Sequence, residues 1–165
     1  ETLIKQDIKL ILDADGLNNL CRIKNWPDQL KAQLIITPHP GEFQRLYKPL
    51  FREKMPDSRT EQAAKLAKRT NAIVVLKGAE TVVTDAEKYY INTTGNPGMA
   101  TAGTGDCLTG AIAALAAQTD SLFEAAVLGV YAHGLAGDFA AEKLGQTSMI
   151  ATDITQTFSQ VFKKL

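Results

Sequence analysis

Asn96-Pro-Gly-Met-Ala-Thr-Ala-Gly-Thr-Gly-Asp106 packs glycines, small residues and one carboxylate directly ahead of a run, residues 107–118, that predicts a helix. A helix start leaves several backbone N–H groups without an intrahelical acceptor. The helix dipole adds positive charge at the same place. Small residues in front let a phosphate approach those groups closely. Asp106 is the odd member, because a carboxylate repels an anion. It has a task there if it takes a proton from a hydroxyl. The stretch therefore reads as a phosphoryl-transfer site with anion cradle and base in one turn. The alternative is a glycine-rich packing loop with an aspartate at the positive end of a helix.

Working outward, Lys9-Leu-Ile-Leu-Asp13, Leu34-Ile-Ile-Thr37 and Ala72-Ile-Val-Val-Leu76 are short apolar runs. They have the pattern of strands buried on both faces. Asp15-Gly16 predicts a turn after the first run, then a short helix over 17–22. Pro38 and Pro40 halt the second run, with a helix over 41–47 and a surface loop over 48–57. Ser58-Arg-Thr-Glu61 is a capping box ahead of a helix that ends near Thr70-Asn71. Thr81-Val-Val-Thr84 and Lys88-Tyr-Tyr-Ile91 predict a hairpin around Asp85-Ala86-Glu87. After the glycine-rich stretch come helices over 107–118 and 122–144. A last helix, capped by Thr152 or Asp153, runs to Lys163. Strands alternating with helices predict an α/β layered fold with a mostly parallel sheet. The length fits a single domain over 1–165.

Composition narrows the partners. Lys plus Arg and Asp plus Glu number 18 each, so there is no basic excess for nucleic acid or a membrane surface. Cys21 and Cys107 lie far apart and, with two histidines in the chain, form no metal or redox spacing. Reduced thiols fit a cytoplasm. No run predicts a signal peptide or a membrane span. The chain begins without Met, in a polar turn before a strand, and reads as starting inside a larger fold.

In parallel sheets ligands sit beyond the carboxyl ends of the strands. Asp13-Ala-Asp15, Thr37-Pro-His-Pro-Gly-Glu42 and Lys77-Gly-Ala-Glu-Thr81 fall there, and the glycine-rich turn is expected at the same edge. Lys77 offers a cation for phosphates, Gly78 a close backbone approach and Thr81 a hydroxyl. The bland reading is a strand-ending turn with a solvated lysine. His39, stiffened between two prolines, offers a donor to a ligand, or serves the turn. Glu42 either holds Mg²⁺ through water or caps the next helix. Of Asp13 and Asp15, one is expected to face the crevice and the other to cap a turn; both are weak Mg²⁺ ligands at best. His133, Trp26 and the Tyr89-Tyr90 pair read as packing residues.

Gly103-Thr-Gly-Asp106 after Asn96-Pro-Gly98 resembles the signature of ribokinase-like small-molecule kinases. Together with Asp13-Ala-Asp-Gly-Leu-Asn18, Thr37-Pro-His-Pro-Gly-Glu42 and Lys77-Gly-Ala-Glu-Thr81, it resembles the ADP- or ATP-dependent NAD(P)H-hydrate dehydratases. The four motifs stand in that family's order over 10–108. The resemblance implies a ribokinase-like three-layer αβα sandwich, of which this chain is the later part, with no counterpart here to the family's N-terminal half. It implies repair: (S)-hydrated NADH or NADPH is returned to the normal cofactor by nucleotide-driven dehydration, with ADP going to AMP in most bacterial members. It also implies Mg²⁺, a homo-oligomer such as a tetramer, and a possible fused epimerase domain.

By the same resemblance, His39 and Asp106 contact the hydrated dinucleotide. Lys77, Gly78, Ala79, Glu80, Thr81 and Gly105 line the nucleotide site. The backbone of Ala102, Gly103, Thr104 and Gly105 forms the anion hole, and Asn96, Glu42 and Asp13 are further candidates. Two other readings stay open. A ribokinase-like kinase of a vitamin-precursor alcohol shares the Gly-Thr-Gly-Asp turn, though such kinases usually carry Asn at the position of His39. A truncated nucleotide-binding module without activity is the third.

Overall fold

The computed structural model describes residues 2–165. Among these residues five strands and six α-helices follow one another in the order β1 (Lys9–Leu12), α1 (Ala14–Leu20), β2 (Gln33–Ile36), α2 (Pro40–Tyr47), α3 (Arg59–Thr70), β3 (Ile73–Leu76), β4 (Val82–Thr84), β5 (Tyr89–Ile91), α4 (Thr104–Ala116), α5 (Leu122–Leu144) and α6 (Ala151–Phe162). The strands form one sheet in sequence order. β1, β2 and β3 are parallel, β4 is antiparallel to β3, and β5 is antiparallel to β4. All strands but β4 therefore point the same way, as the alternating pattern predicts.

Side chains alternate across a strand, and each face of the sheet has its own core. Leu34, Ile36, Val74 and Leu76 pack with Leu17, Phe43, Leu46 and Leu66 on one side. Ile35, Val75 and Val83 pack with Leu108, Ile112 and Ala126 on the other. This double burial is why the strands read as unbroken apolar runs. The result is the three-layer αβα sandwich. α6 then packs on the far part of α5 through Ala136, Ala140, Ile154 and Val161. α5 is tolerant of close neighbours because of its glycines: a Cβ on Gly129 would lie 2.6 Å from Ile112.

Local signals explain most boundaries. The Ser58 hydroxyl accepts the Glu61 amide, and Asn71 closes α3 in the left-handed conformation. Asp85 accepts the amides of Glu87 and Lys88 to shape the hairpin. Three boundaries differ from the sequence reading. Asp15 and Gly16 lie inside α1, because Ala14 takes a positive φ and the chain turns straight into the helix. α4 begins at Thr104, three residues early, because Gly103 supplies a left-handed N-cap (φ 85°). α6 starts after Ile150, and Asp153 reaches back from the third helical position to accept the Ile150 amide. No helix among the described residues is long and apolar enough to cross a membrane.

Candidate functional site

The first turn of α4 is the centre of the arrangement. The Cys107 amide donates to the Gly103 carbonyl and the Thr104 amide to that of Thr101. The amides of Gly105 and Asp106 have no acceptor among the described residues, the condition that makes a helix start an anion site. Because α4 starts early, the open donors are those of Gly105 and Asp106 within the helix, with Ala102 and Gly103 exposed in the turn before it. Asp106 is exposed, and its carboxylate has no partner among the described residues. The Thr104 hydroxyl is buried without a partner among the described residues.

Beside this turn sits an ion pair from two strand ends. The Lys77 ammonium lies 2.6 Å from Asp13 Oδ1, with side chains 19% and 10% exposed. Thr109 of α4 donates to the other Asp13 oxygen at 3.0 Å. Burial alone would raise the Asp13 carboxyl. The Lys77 hydrogen bond and charge, helped by Thr109, outweigh burial and hold it below its ordinary value. A Cβ on Gly105 would stand 3.3 Å from the Lys77 ammonium. Glycine at 105 thus lets the cation lie against the open amides. Asp13 is the acid that faces the crevice, while the Asp15 carboxylate accepts from Asn18 at 3.2 Å.

The strand end of β2 joins the same cluster, since the Lys77 amide donates to the Pro38 carbonyl at 2.9 Å. His39 Nδ1 accepts the amides of Gly41 and Glu42, so the ring proton is on Nε2. Glu42 returns the favour by accepting the His39 amide at 2.8 Å, a reciprocal capping box. Of the two roles open to Glu42, capping is present. The imidazole is half-exposed, with Nε2 turned 3.6 Å from the second Glu42 oxygen.

The loop after β3 is closed by the Thr81 hydroxyl, which donates to the Gly78 carbonyl at 2.8 Å. Gly78 and Glu80 both carry positive φ, 142° and 53°. Its floor is a residue that sequence reasoning missed. Arg59 donates to the carbonyls of Leu76, Lys77 and Ala79.

A second unforeseen residue is Asp138 of α5. It accepts the Gly95 amide at 2.9 Å and the Asn96 side-chain amide at 3.0 Å. Asn96 also accepts the Gly98 amide, so its side chain shapes the turn. The turn lies flat on α5 because Gly134 and Gly137 have no side chains: a Cβ at either would meet Thr94 or Met99 at van der Waals overlap. No local pattern marks Arg59 or Asp138, whose partners lie roughly 20 and 40 residues away.

His133, expected to be a packing residue, is buried at 7% exposure and bonds the Thr104 carbonyl at 3.0 Å. It bolts α5 to the first turn of α4. Burial depresses its pKa from 6.5 to about 4, against the Thr104 hydrogen bond; the nearby Lys77 charge depresses it further. The unfolded chain takes up this proton at 6.5 and the folded chain resists until about 4. Stability is therefore full above pH 6.5, declines as pH falls through that window, and levels off below it. The decline amounts to about 3 kcal/mol. Denaturant midpoints measured from pH 8 to 4 should show it, and His133→Gln should flatten it; an equal slope in both proteins would exclude this origin.

Four separate segments thus meet as the sequence predicts: Asp13, Pro38-His39, Lys77-Gly78 and the first turn of α4. Tyr89 instead points outward at 62% exposure, and Trp26 is buried. No group of three metal-ligating side chains exists among the described residues.

Residues 1–160 match the NAD(P)H-hydrate dehydratase family. The chain is 44% identical over its whole length to a bifunctional NAD(P)H-hydrate repair enzyme of Moorella thermoacetica, of which it spans 31%. It superposes with a TM-score of 0.84, at 29% identity, on an ADP/ATP-dependent NAD(P)H-hydrate dehydratase from Bacillus subtilis crystallised with ATP and Mg²⁺; 98% of this chain covers 58% of that one. Ribokinase from Thermotoga maritima, 19% identical with a TM-score of 0.56, shares the fold. The ribokinase-like sandwich, the order of the four motifs and the match over residues 1–160 agree, and the chain belongs to the NAD(P)H-hydrate dehydratase family.

Proposed function

We propose that this chain carries the nucleotide-driven dehydration of (S)-hydrated NADH or NADPH, with ADP or ATP as phosphoryl donor. The observation that carries the reading is the junction at Gly105, where open helix amides and the Lys77 ammonium stand together, next in sequence to Asp106, whose carboxylate has no partner among the described residues. Asp106 takes the proton of the ring hydroxyl. The hydroxyl oxygen forms a bond to the terminal phosphorus of the nucleotide as the bond to the bridging oxygen breaks, giving AMP from ADP. The amides of Gly105 and Asp106 hold the charge on the transferred group. Phosphate then leaves with the C–O bond electrons, pushed by the ring nitrogen, and the neighbouring ring carbon loses a proton to restore the reduced nicotinamide.

His39 Nε2–H is the donor that orients the hydrated cofactor, and the 77–81 loop holds the nucleotide. Mg²⁺ would enter as a phosphate-bound ion that keeps its waters, with Glu42 and Asp13 as candidate carboxylates; it would supply charge neutralisation on the phosphates. The reading extends to a chain that forms the later part of a larger domain, alone or fused to an epimerase. It also places the protein in the cytoplasm as a homo-oligomer, with exposed Leu144, Ile150, Phe162 and Leu165 as support for association.

The test is recovery of absorbance at the reduced-nicotinamide band. Hydrated NADH, Mg²⁺ and ADP or ATP are mixed with the full-length protein. Recovery that depends on nucleotide, with stoichiometric phosphate release, is the expected result. No recovery with either nucleotide sinks the reading.

A further inference from the structure

Lys77 is the cation that the sequence puts beside the phosphates, yet Asp13 cancels its charge at 2.6 Å. Arg59, at the start of α3, is different. Its guanidinium has no carboxylate within ion-pair distance among the described residues. Its Nη donors go to three backbone carbonyls, Leu76 at 2.9 Å, Lys77 at 3.1 Å and Ala79 at 3.0 Å. Its Nε is buried without an acceptor among the described residues. A charge held by carbonyls alone is not neutralised. It remains as a positive field directly under the loop.

The three bonds also set the direction of the loop amides. In a trans peptide the C=O and the following N–H point opposite ways. Turning the Lys77 and Ala79 carbonyls down onto Arg59 turns the Gly78 and Glu80 amides away from it. Neither amide has an acceptor among the described residues. Gly78 completes the fit: a Cβ there would stand 2.8 Å from Arg59 Nη1, on a backbone with φ of 142°. The glycine at 78 is therefore required twice, by its conformation and by the guanidinium packed on it.

We propose that Arg59 is a positioning residue for the nucleotide, gathering the carbonyls of Leu76, Lys77 and Ala79 so that the loop amides face outward over an uncancelled positive charge. The proposal rests on the reading of the 77–81 loop as the nucleotide site. Lysine is a poor substitute, because one ammonium cannot reproduce the planar fork that reaches three carbonyls.

The experiment compares Arg59→Gln and Arg59→Lys with the parent full-length protein. ADP and ATP are titrated by calorimetry at several salt concentrations, and KM and kcat are measured for both substrates. Arg59→Gln should weaken nucleotide binding by about tenfold or more and flatten its salt dependence. Its kcat at saturating nucleotide and its KM for hydrated cofactor should stay within about twofold. Arg59→Lys should keep the salt dependence and recover part of the affinity. A purely structural role would instead lower thermal stability and disturb both substrates alike. Nucleotide affinity unchanged in Arg59→Lys and Arg59→Gln overturns this proposal alone. If Arg59→Gln does not fold, Arg59→Lys with parental affinity overturns it. A parent protein that binds neither ADP nor ATP overturns the nucleotide reading and this proposal with it.

Discussion

Asp106→Asn is expected to slow absorbance recovery by about 10²- to 10⁴-fold, the usual contribution of a positioned general base. The exchange keeps the shape and removes only the proton acceptor. Because the Asp106 carboxylate has no partner among the described residues, no buried group is stranded by the change. The fold should hold, losing no more than about 1 kcal/mol of interaction with the positive end of α4. Nucleotide binding should hold or tighten, since a negative charge leaves the neighbourhood of the phosphates. The loss should therefore fall on kcat, with little change in either KM. Parental turnover in a folded Asp106→Asn protein would remove Asp106 as the base while leaving the family assignment untouched.

Asp13→Ala is expected to cost about 2–3 kcal/mol of stability, less than the penalty of breaking a fully buried ion pair from one side because this pair is part-buried. Lys77 would be left without its partner, with only 19% of its side chain exposed. Thr109 would lose its acceptor as well. Replacing both partners, as Asp13→Ala with Lys77→Met, should cost less than the sum of the single changes, because no charge is then stranded. Strict additivity in urea unfolding would show that the two side chains are not coupled. The pH dependence has a definite sign. The Lys77 contact holds the folded Asp13 carboxyl below its ordinary 3.8. Its stabilisation is complete above pH 3.8 and is lost as pH falls through the lower folded value. Acid sensitivity of this origin lies below that of His133, which acts between 6.5 and about 4.

The two histidines show where local reading succeeds and where it stops. His39 is framed by prolines and followed three residues later by a glutamate, so both its rigidity and its capping exchange with Glu42 are local events. His133 sits in an Ala-rich helix among apolar neighbours, and nothing nearby hints at its partner 29 residues upstream. The same contrast separates Ser58, whose cap is three residues away, from Arg59 beside it. Asn96 reads correctly as part of a turn, but its anchor is on a helix 42 residues later. The sequence places the start of α4 three residues late, because Thr-Gly-Asp looks like loop by propensity. The left-handed Gly103, the bond from His133 to the Thr104 carbonyl and the packing of Leu108 against the sheet carry the helix back through it.

The sequence by itself determined the layers, the strand runs, the hairpin and the four motifs, because each depends on periodicity, capping or turn chemistry within a few residues. Only the tertiary structure decided which cations are free. Asp13 and Lys77, 64 residues apart, meet and cancel, while Arg59 meets carbonyls and does not. The electrostatics of a site depends on distances between segments, and those distances are set by packing both faces of the sheet, not by any local pattern.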